Sequence, residues 1–173
     1  MTDKPSFSAP TISDVRQLQR NDTWHTKSNG ELGVLFNINF TDLHKIYLHY
    51  EKSELAKLPR DIRGLRSYTV TGLKKQSVGA NEWHRIRNEL VFATKGRVKW
   101  SCEDVFGSKL EYELDEKSGV WTPPFILHAY EALEDDSELL VIANTLFFPE
   151  DPLTHDTYDL QSFRFLQTKY NNQ

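Results

Sequence analysis

The chain has 173 residues, 38% of them hydrophobic and 12% aromatic, and a net charge of -4. This length and composition suit one folded domain, and the mildly acidic balance without basic blocks excludes a general nucleic-acid or membrane-surface binder. Cys102 is the single cysteine, so no intramolecular disulfide forms, and since no signal-peptide core or membrane span is visible we expect a cytoplasmic protein.

The first part of the chain alternates between polar and apolar stretches. Residues 1–28 are mostly polar and proline-punctuated at the start, so we expect an N-terminal arm. Residues 32–40 and 45–50 have the apolar alternation of two strands. Residues 53–58 suit one helical turn, because a proline follows them.

The rest of the chain is dominated by short apolar alternations that are typical of strands. Turn signals separate them about every eight to twelve residues, and little of the pattern is helical. The predicted strands lie at residues 66–71, 90–93, 97–100, 109–114, 120–122, 128–133 and 138–144. This spacing predicts a sandwich, jelly roll or barrel. We expect residues 29–165 to form the domain and residues 166–173 to form a C-terminal tail.

Three polar residues near the middle of the chain are spaced to converge. Glu82 and His84 are two residues apart, so they share one face of a strand. Glu89 comes next and opens the apolar run 90–93, so we expect it on the returning strand of a hairpin. Because each side chain can carry a proton or bind a metal, the sequence predicts a polar site inside a β structure.

Two spaced motifs resemble those of the cupin superfamily. Glu82-x-His84-x4-Glu89-x6-Gly96 is similar to the first cupin motif, HxH(x)3-4E(x)6G, with glutamate at the first histidine. The segment 123–128, PPFILH, is similar to the second motif, PxGxxH, with Phe125 at the glycine and His128 at the histidine. The resemblance implies an all-β cupin fold, a double-stranded β-helix or jelly-roll barrel with little helix.

A narrower resemblance is carried by Arg66-x-Tyr68, Trp83-His84-Arg85, the run 139–144 and Asp156-x-Tyr158-x4-Phe163. These residues are similar to those of the WxcM-like sugar 3,4-ketoisomerases, which are related to the dTDP-4-dehydrorhamnose 3,5-epimerases. In the family pattern RGxHAHKxxxQ, His84 and Arg85 match, whereas Gly79, Ala80, Glu82 and Glu89 replace the arginine, the glycine, the first histidine and the glutamine. The resemblance implies a cofactor-free isomerase or epimerase of a nucleotide-linked 4-keto-6-deoxy sugar. It also implies a homodimer, in which residues 32–40 could add a strand to the partner.

The chemistry of this reaction assigns roles to the predicted site. Moving a keto group between neighbouring carbons needs a base with a pKa near 7, and His84 suits that role with Glu82 beside it. Tyr68 and Arg66 would donate to the developing oxyanion. The predicted catalytic residues are thus His84, Glu82 and Tyr68, and the predicted substrate-binding residues are Arg66, Arg85, Arg87, Glu89 and His128.

Two other functions fit the same residues. Glu82, His84, Glu89 and His128 form a set suited to a divalent transition metal, which would make the protein a metal-dependent cupin enzyme. The substitution at the first histidine favours a non-catalytic, sugar-binding cupin.

Structural roles are the remaining alternative for these side chains. His128 could be a core residue, and Glu89 could pair with Arg87 or Arg97 on a sheet surface. The other histidines have no partner pattern and are predicted at the surface: His25, His44, His49 and His155.

Overall fold

The computed structural model describes residues 8–19, 23–34 and 36–171. Within them the chain forms two antiparallel five-stranded sheets and one two-stranded ribbon. The strands are β1 (Arg16–Gln19), β2 (Thr23–His25), β3 (Glu31–Gly33), β4 (Arg63–Leu73), β5 (Val78–Trp83), β6 (Glu89–Lys95), β7 (Val98–Glu103), β8 (Lys109–Leu114), β9 (Ser118–Thr122), β10 (Leu127–Ala132), β11 (Ser137–Thr145) and β12 (Tyr158–Asp159). The helices are α1 (Phe40–Asp42), α2 (Lys52–Leu55) and α3 (Leu160–Asn171), with 3-10 turns at Ile12–Asp14 and Pro152–Thr154 and a π-helical stretch at Leu43–Tyr47.

The two large sheets enclose the main core. The first sheet has the order β1-β9-β6-β11-β4, and the second has the order β12-β5-β10-β7-β8. Side chains that alternate inward from both sheets pack together, among them Val91 and Val141 from the first and Val98 and Trp100 from the second. Both sheets thus contribute to one core, and from β4 to β12 the chain changes sheet at every step except the β7–β8 hairpin, which confirms the predicted jelly-roll barrel.

The segment before β4 covers the outer face of the first sheet. The prediction of two strands in this segment, at residues 32–40 and 45–50, is wrong. Among the described residues of these two ranges, only Leu32 and Gly33 belong to a strand, β3, which pairs with β2, and Leu43–Tyr47 is π-helical. Leu43, Ile46 and Tyr47 face the sheet at helical spacing, and the Tyr47 hydroxyl donates to the Ile142 carbonyl at 2.5 Å. The apolar alternation in this segment reflects packing on an existing sheet, not pairing within one.

The outer face of the second sheet is covered by α3. Phe163 of this helix is fully buried against Trp83 and Phe125, and the Trp83 indole donates to the Ser162 hydroxyl at 2.9 Å. Trp83 therefore packs outside the barrel, as its alternation with His84 predicts. Among the helices of the described residues, none is long and apolar enough to cross a membrane.

The structure shows why the family patterns have a glycine at two positions where this chain has another residue. Ala80 and Phe125 have φ angles of 60° and 65°, in the left-handed region where glycine is favoured. Asn81, with a φ of 61°, is the extra residue of a bulge, because His128 pairs with Glu82 while Ala129 pairs with Ala80. The bulge turns the strand just before Glu82 and so helps to aim that side chain into the barrel.

We expect Ala80→Gly to raise the free energy of unfolding by about 1 kcal/mol, because a left-handed backbone is costly for a residue with a Cβ atom. The greater freedom of glycine in the unfolded chain offsets part of the gain. Chemical denaturation measures the change in the free energy of unfolding. Ala129→Gly, at the position paired with Ala80, is the control and should lower stability by about 0.5–1 kcal/mol. Destabilisation by both substitutions would contradict the strain at Ala80.

Candidate active site

The polar cluster lies between the two sheets. Glu82 lies near the end of β5, His84 directly follows that strand, His128 comes from β10 of the same sheet, and Glu89 begins β6 of the opposite sheet. The predicted hairpin of β5 and β6 is wrong, because residues 84–88 cross from one sheet to the other. The predicted convergence holds, since the side chains meet across the barrel interior.

Glu89 is the centre of the cluster and is buried. Its Oε2 lies 3.3 Å from His128 Nε2, and its Oε1 lies 3.6 Å from His84 Nε2. The Tyr68 hydroxyl donates to Oε1 at 3.2 Å, and Arg87 Nη1 lies 3.5 Å from the same oxygen. This carboxylate therefore contacts four of the other predicted site residues, although at 3.6 Å its contact with His84 is longer than a hydrogen bond.

Backbone carbonyls orient both imidazoles. His84 Nδ1 lies 2.6 Å from the Asp156 carbonyl oxygen, and His128 Nδ1 lies 3.1 Å from that of Ile126. A carbonyl oxygen only accepts, so each Nδ1 carries a hydrogen and donates it. Both Nε2 atoms consequently face the cluster, with ring centroids 5.1 Å apart, and the His128 ring stacks on Trp100.

The environment shifts the pKa values of the two histidines in opposite directions. Burial alone would lower the pKa of His128, but the Glu89 carboxylate outweighs it and raises that pKa. The pKa of His84 is lowered, first by burial and then by the charge of Arg87. Burial would raise the pKa of Glu89, yet the two imidazoles hold it well below its usual range. Glu89 and His128 thus form an ion pair, and His84 is a neutral base whose Nε2 lone pair faces the cluster.

Arg87 is buried beside this base. Its Nε donates to the Thr145 hydroxyl at 3.0 Å, its Nη2 to that of Thr157 at 3.3 Å, and its Nη1 to His84 Nε2 at 3.3 Å. The guanidinium is therefore fixed, and it places a positive charge against the nitrogen that would take a proton.

Arg66, which lies on β4, is placed between two aromatic rings. Its guanidinium carbon is 4.8 Å from the Tyr68 ring centroid and 5.0 Å from that of Phe147. The Nε atom is buried without a hydrogen-bond partner, and no carboxylate of the described residues lies within ion-pair distance. Burial and then the charge of Arg87 lower the pKa of Arg66. An unpaired guanidinium held in this way is ready to bind an anion.

Arg85 is separated from the cluster. Its Nη1 pairs with Glu54 at 2.5 Å, and its guanidinium lies over Tyr158 and Trp83 on the outer side of the second sheet. A contact of Arg85 with substrate stays a prediction.

The remaining histidines lie at the surface, as the sequence predicts. His25, His44, His49 and His155 are exposed, and Cys102 is buried, which raises its pKa to about 12.

The same cluster has the composition of a metal site. Ligand atoms of Glu82, His84 and His128 all lie within 4.8 Å of one another, and both imidazoles already donate their other nitrogen to a carbonyl. Histidines that bind a metal commonly donate such a hydrogen bond from their other ring nitrogen. Glu89, 3.3 Å from His128, would be the second carboxylate.

Sequence reasoning gave no role to the residues that support the cluster. Asp156 was visible only as part of a family likeness, and Thr145 and Thr157 carried no signal. They reach the site from the end of β11 and the segment before β12, which lie far along the chain from His84.

Comparisons with known proteins agree with this architecture. A family model described as FdtA: WxcM-like, C-terminal matches residues 38–164. No curated protein sequence matches the chain significantly.

Three solved structures illustrate the likeness. A sugar 3,4-ketoisomerase from Thermoanaerobacterium thermosaccharolyticum in complex with TDP has a TM-score of 0.62 and 17% identity, over 92% of this chain and 98% of that one. A TDP-fucose-3,4-ketoisomerase from Campylobacter jejuni has a TM-score of 0.59 and 18% identity, over 88% and 95%. A dTDP-6-deoxy-D-glucose-3,5-epimerase from Legionella pneumophila has a TM-score of 0.58 and 13% identity, over 82% and 72%. At these identities the likeness establishes a shared fold.

Proposed function

The chain belongs to the WxcM-like, C-terminal family, and from this we propose that it is an isomerase or epimerase of a nucleotide-linked 4-keto-6-deoxy sugar, of the 3,4-ketoisomerase type. The observation that carries the proposal is the neutral His84 imidazole, whose Nε2 faces the barrel interior beside the Glu89–His128 ion pair. A base next to fixed positive charge is what proton abstraction beside a ketone requires.

In the proposed reaction, His84 Nε2 takes the proton from C3, next to the 4-keto group. The electron pair of the C–H bond forms an enediolate across C3 and C4. Arg87 stabilises its negative charge, and the Tyr68 hydroxyl, which donates to Glu89 in the free protein, turns its hydrogen to the enediolate oxygen. Burial and Glu89 raise the pKa of Tyr68, which keeps that hydroxyl protonated as a donor.

The proton then returns to C4, and the hydroxyl proton of O3 moves to O4, so the product is the 3-keto isomer. Glu82 Oε1 lies 3.8 Å from His84 Nε2, and its side chain is partly exposed. It is therefore placed to exchange a proton between this base and solvent. No oxidant or reductant is consumed.

The nucleotide end of the substrate would be bound by positive charge. A diphosphate needs guanidinium partners, and Arg66 offers one that forms no ion pair with a carboxylate of the described residues. The relative from Thermoanaerobacterium thermosaccharolyticum was solved with TDP, which supports a thymidine nucleotide as the first ligand to try.

Deuterium exchange tests the proposal. The protein is incubated with dTDP-4-keto-6-deoxyglucose in heavy water, and mass spectrometry follows deuterium at the sugar carbons. We expect exchange, together with a new keto sugar. Binding of TDP without exchange would instead support the non-catalytic, sugar-binding alternative.

The pH profile should show the lowered pKa of His84. The base acts only when unprotonated, so a pKa below the ordinary 6.5 keeps it active in mildly acidic solution. We expect the acidic limb of kcat/KM to lie below pH 6.5. After Arg87→Gln the limb should move to higher pH, because the charge that lowers this pKa is removed. A limb above pH 6.5 in the unaltered protein would contradict His84 as the base.

A metal-dependent enzyme is the second candidate, favoured by the grouping of Glu82, His84 and His128. A divalent transition metal held there would act as a Lewis acid toward a carbonyl oxygen. Elemental analysis of the purified protein decides between the candidates. A stoichiometric transition ion, with exchange activity lost to a chelator and restored by that ion, would replace the metal-free mechanism.

We further propose that the cupin domain acts as a cytoplasmic homodimer, and that it extends beyond the predicted residues 29–165, because β1 belongs to the first sheet and α3 covers the second sheet as far as Asn171. β4 is an edge strand that pairs only with β11 among the described strands, and it exposes Leu65, so a second copy has a surface to bind. Residues 32–40 were expected to add a strand to the partner's sheet. Apart from Leu32 and Gly33 in β3, the described residues of this range form no strand, so this mode of dimerisation is not supported. Light scattering of the purified protein gives the oligomeric state.

A further inference from the structure

We propose that Asp156 is a positioning residue that fixes the tautomer and orientation of His84, an inference that rests on the proposed function. Asp156 lies in the segment between Pro152–Thr154 and β12 and is completely buried. It contacts the catalytic loop 84–88 in two ways, through its side chain and through its backbone.

The side chain binds the backbone of the loop. One carboxylate oxygen accepts the N–H of Arg85 at 2.9 Å, and the other accepts those of Ile86 and Arg87 at 2.9 and 3.1 Å. The loop belongs to neither sheet, so these buried N–H groups have no strand partner of their own. Three consecutive donors on one carboxylate make a small anion-binding concavity that the chain fills with its own residue.

The backbone of Asp156 binds the imidazole. Its carbonyl oxygen accepts from His84 Nδ1 at 2.6 Å, which leaves Nε2 as the basic nitrogen. The next residue, Thr157, accepts from Arg87 Nη2 at 3.3 Å. Because the carboxylate ties this segment to residues 85–87, it sets the base and its guanidinium neighbour in one geometry.

The arrangement requires an aspartate. An asparagine has a single acceptor oxygen, and whichever way its amide is turned, its NH2 group would face at least one of the three backbone N–H groups. No cation of the described residues forms an ion pair with Asp156, so the backbone donors are the groups that stabilise its charge. Removing the charge or one acceptor would release the loop without touching substrate.

The test uses Asp156→Asn, with Asp159→Asn as the control. Asp159 is exposed, is three residues away, and accepts the Ser162 N–H at the start of α3, where asparagine serves as well. We expect Asp156→Asn to slow deuterium exchange into the sugar by about 100-fold, as small displacements of a catalytic group do, with TDP affinity within about threefold of normal. Asp159→Asn should change neither.

Nitrogen-15 NMR of the His84 ring, in chelator-treated protein without substrate, separates positioning from general structure. The unaltered protein should show the single tautomer with hydrogen on Nδ1, and Asp156→Asn should show a mixture. An Nε2–H tautomer in the unaltered protein would overturn the proposal even if the variant failed to fold, and so would a folded variant with an unchanged ring signal and rate. If the unaltered protein exchanges no sugar proton but the ring signals change as expected, the proposed function fails and the positioning role stands.

Discussion

His84→Asn is expected to slow proton exchange into a 4-keto sugar nucleotide by about a thousandfold while TDP binding stays within a few-fold of normal. General base catalysis by a placed side chain contributes about 10²–10⁴-fold, and asparagine cannot accept a proton near neutral pH. The groups proposed to bind the nucleotide remain, since Arg66 is held by Tyr68 and Phe147. Exchange is measured by mass spectrometry and binding by calorimetry.

The matched control is His49→Asn, because His49 is an exposed histidine away from the barrel cluster. It should leave both quantities unchanged. Full exchange activity in His84→Asn would remove His84 from the mechanism. A parallel loss of affinity and melting temperature would mean that the imidazole mainly supports the fold, through its contact with the Asp156 carbonyl.

The barrel strands could be predicted from sequence because their signal is local. In β8, residues 109–114 alternate between exposed and more buried positions, and the predicted limits agree with the structure. The inward residues of β11 follow the same rule. Such alternation depends only on which face of the sheet each side chain occupies, and that face is fixed by a period of two residues.

The covering segment before β4 could not be predicted in this way. Phe36 stacks on Phe92 at 5.7 Å, and Tyr47 reaches across to Ile142, so its apolar residues are placed by a sheet formed later in the chain. A pattern of apolar residues records burial, but it does not record whether the partner is a neighbouring strand or the face of a finished sheet.

The candidate site was predictable in its members and unpredictable in its connections. Glu82, His84, Glu89 and His128 were found by motif spacing. The route between the sheets was not found, because a five-residue gap fits either a hairpin or a crossing, and the strands β5 and β6 use it for the crossing. The pKa values of His84 and His128 shift in opposite directions because of burial, Arg87 and Glu89, and motif spacing does not reveal these contacts.

Glu89→Leu is expected to lower the free energy of unfolding by about 3–5 kcal/mol, the cost of breaking a buried ion pair by removing one partner. Leucine leaves His128 Nε2 and the Tyr68 hydroxyl without their buried acceptor. Denaturation is best measured at pH 6. The lowered pKa of Glu89 makes its contribution fully present above about pH 4.5, and the raised pKa of His128 makes its contribution fully present below about pH 6.5.

Glu89→Gln is the matched control, since it keeps the shape and places at this position the residue of the family pattern. Its amide oxygen still accepts from Tyr68, and His128 loses its extra proton when the carboxylate charge is gone, so we expect a loss of only about 1–2 kcal/mol. Unfolding free energies of both variants equal to that of the unaltered protein would mean that the charge and hydrogen bonds of Glu89 contribute little. A larger loss for leucine would show that this carboxylate joins the two sheets across the barrel interior.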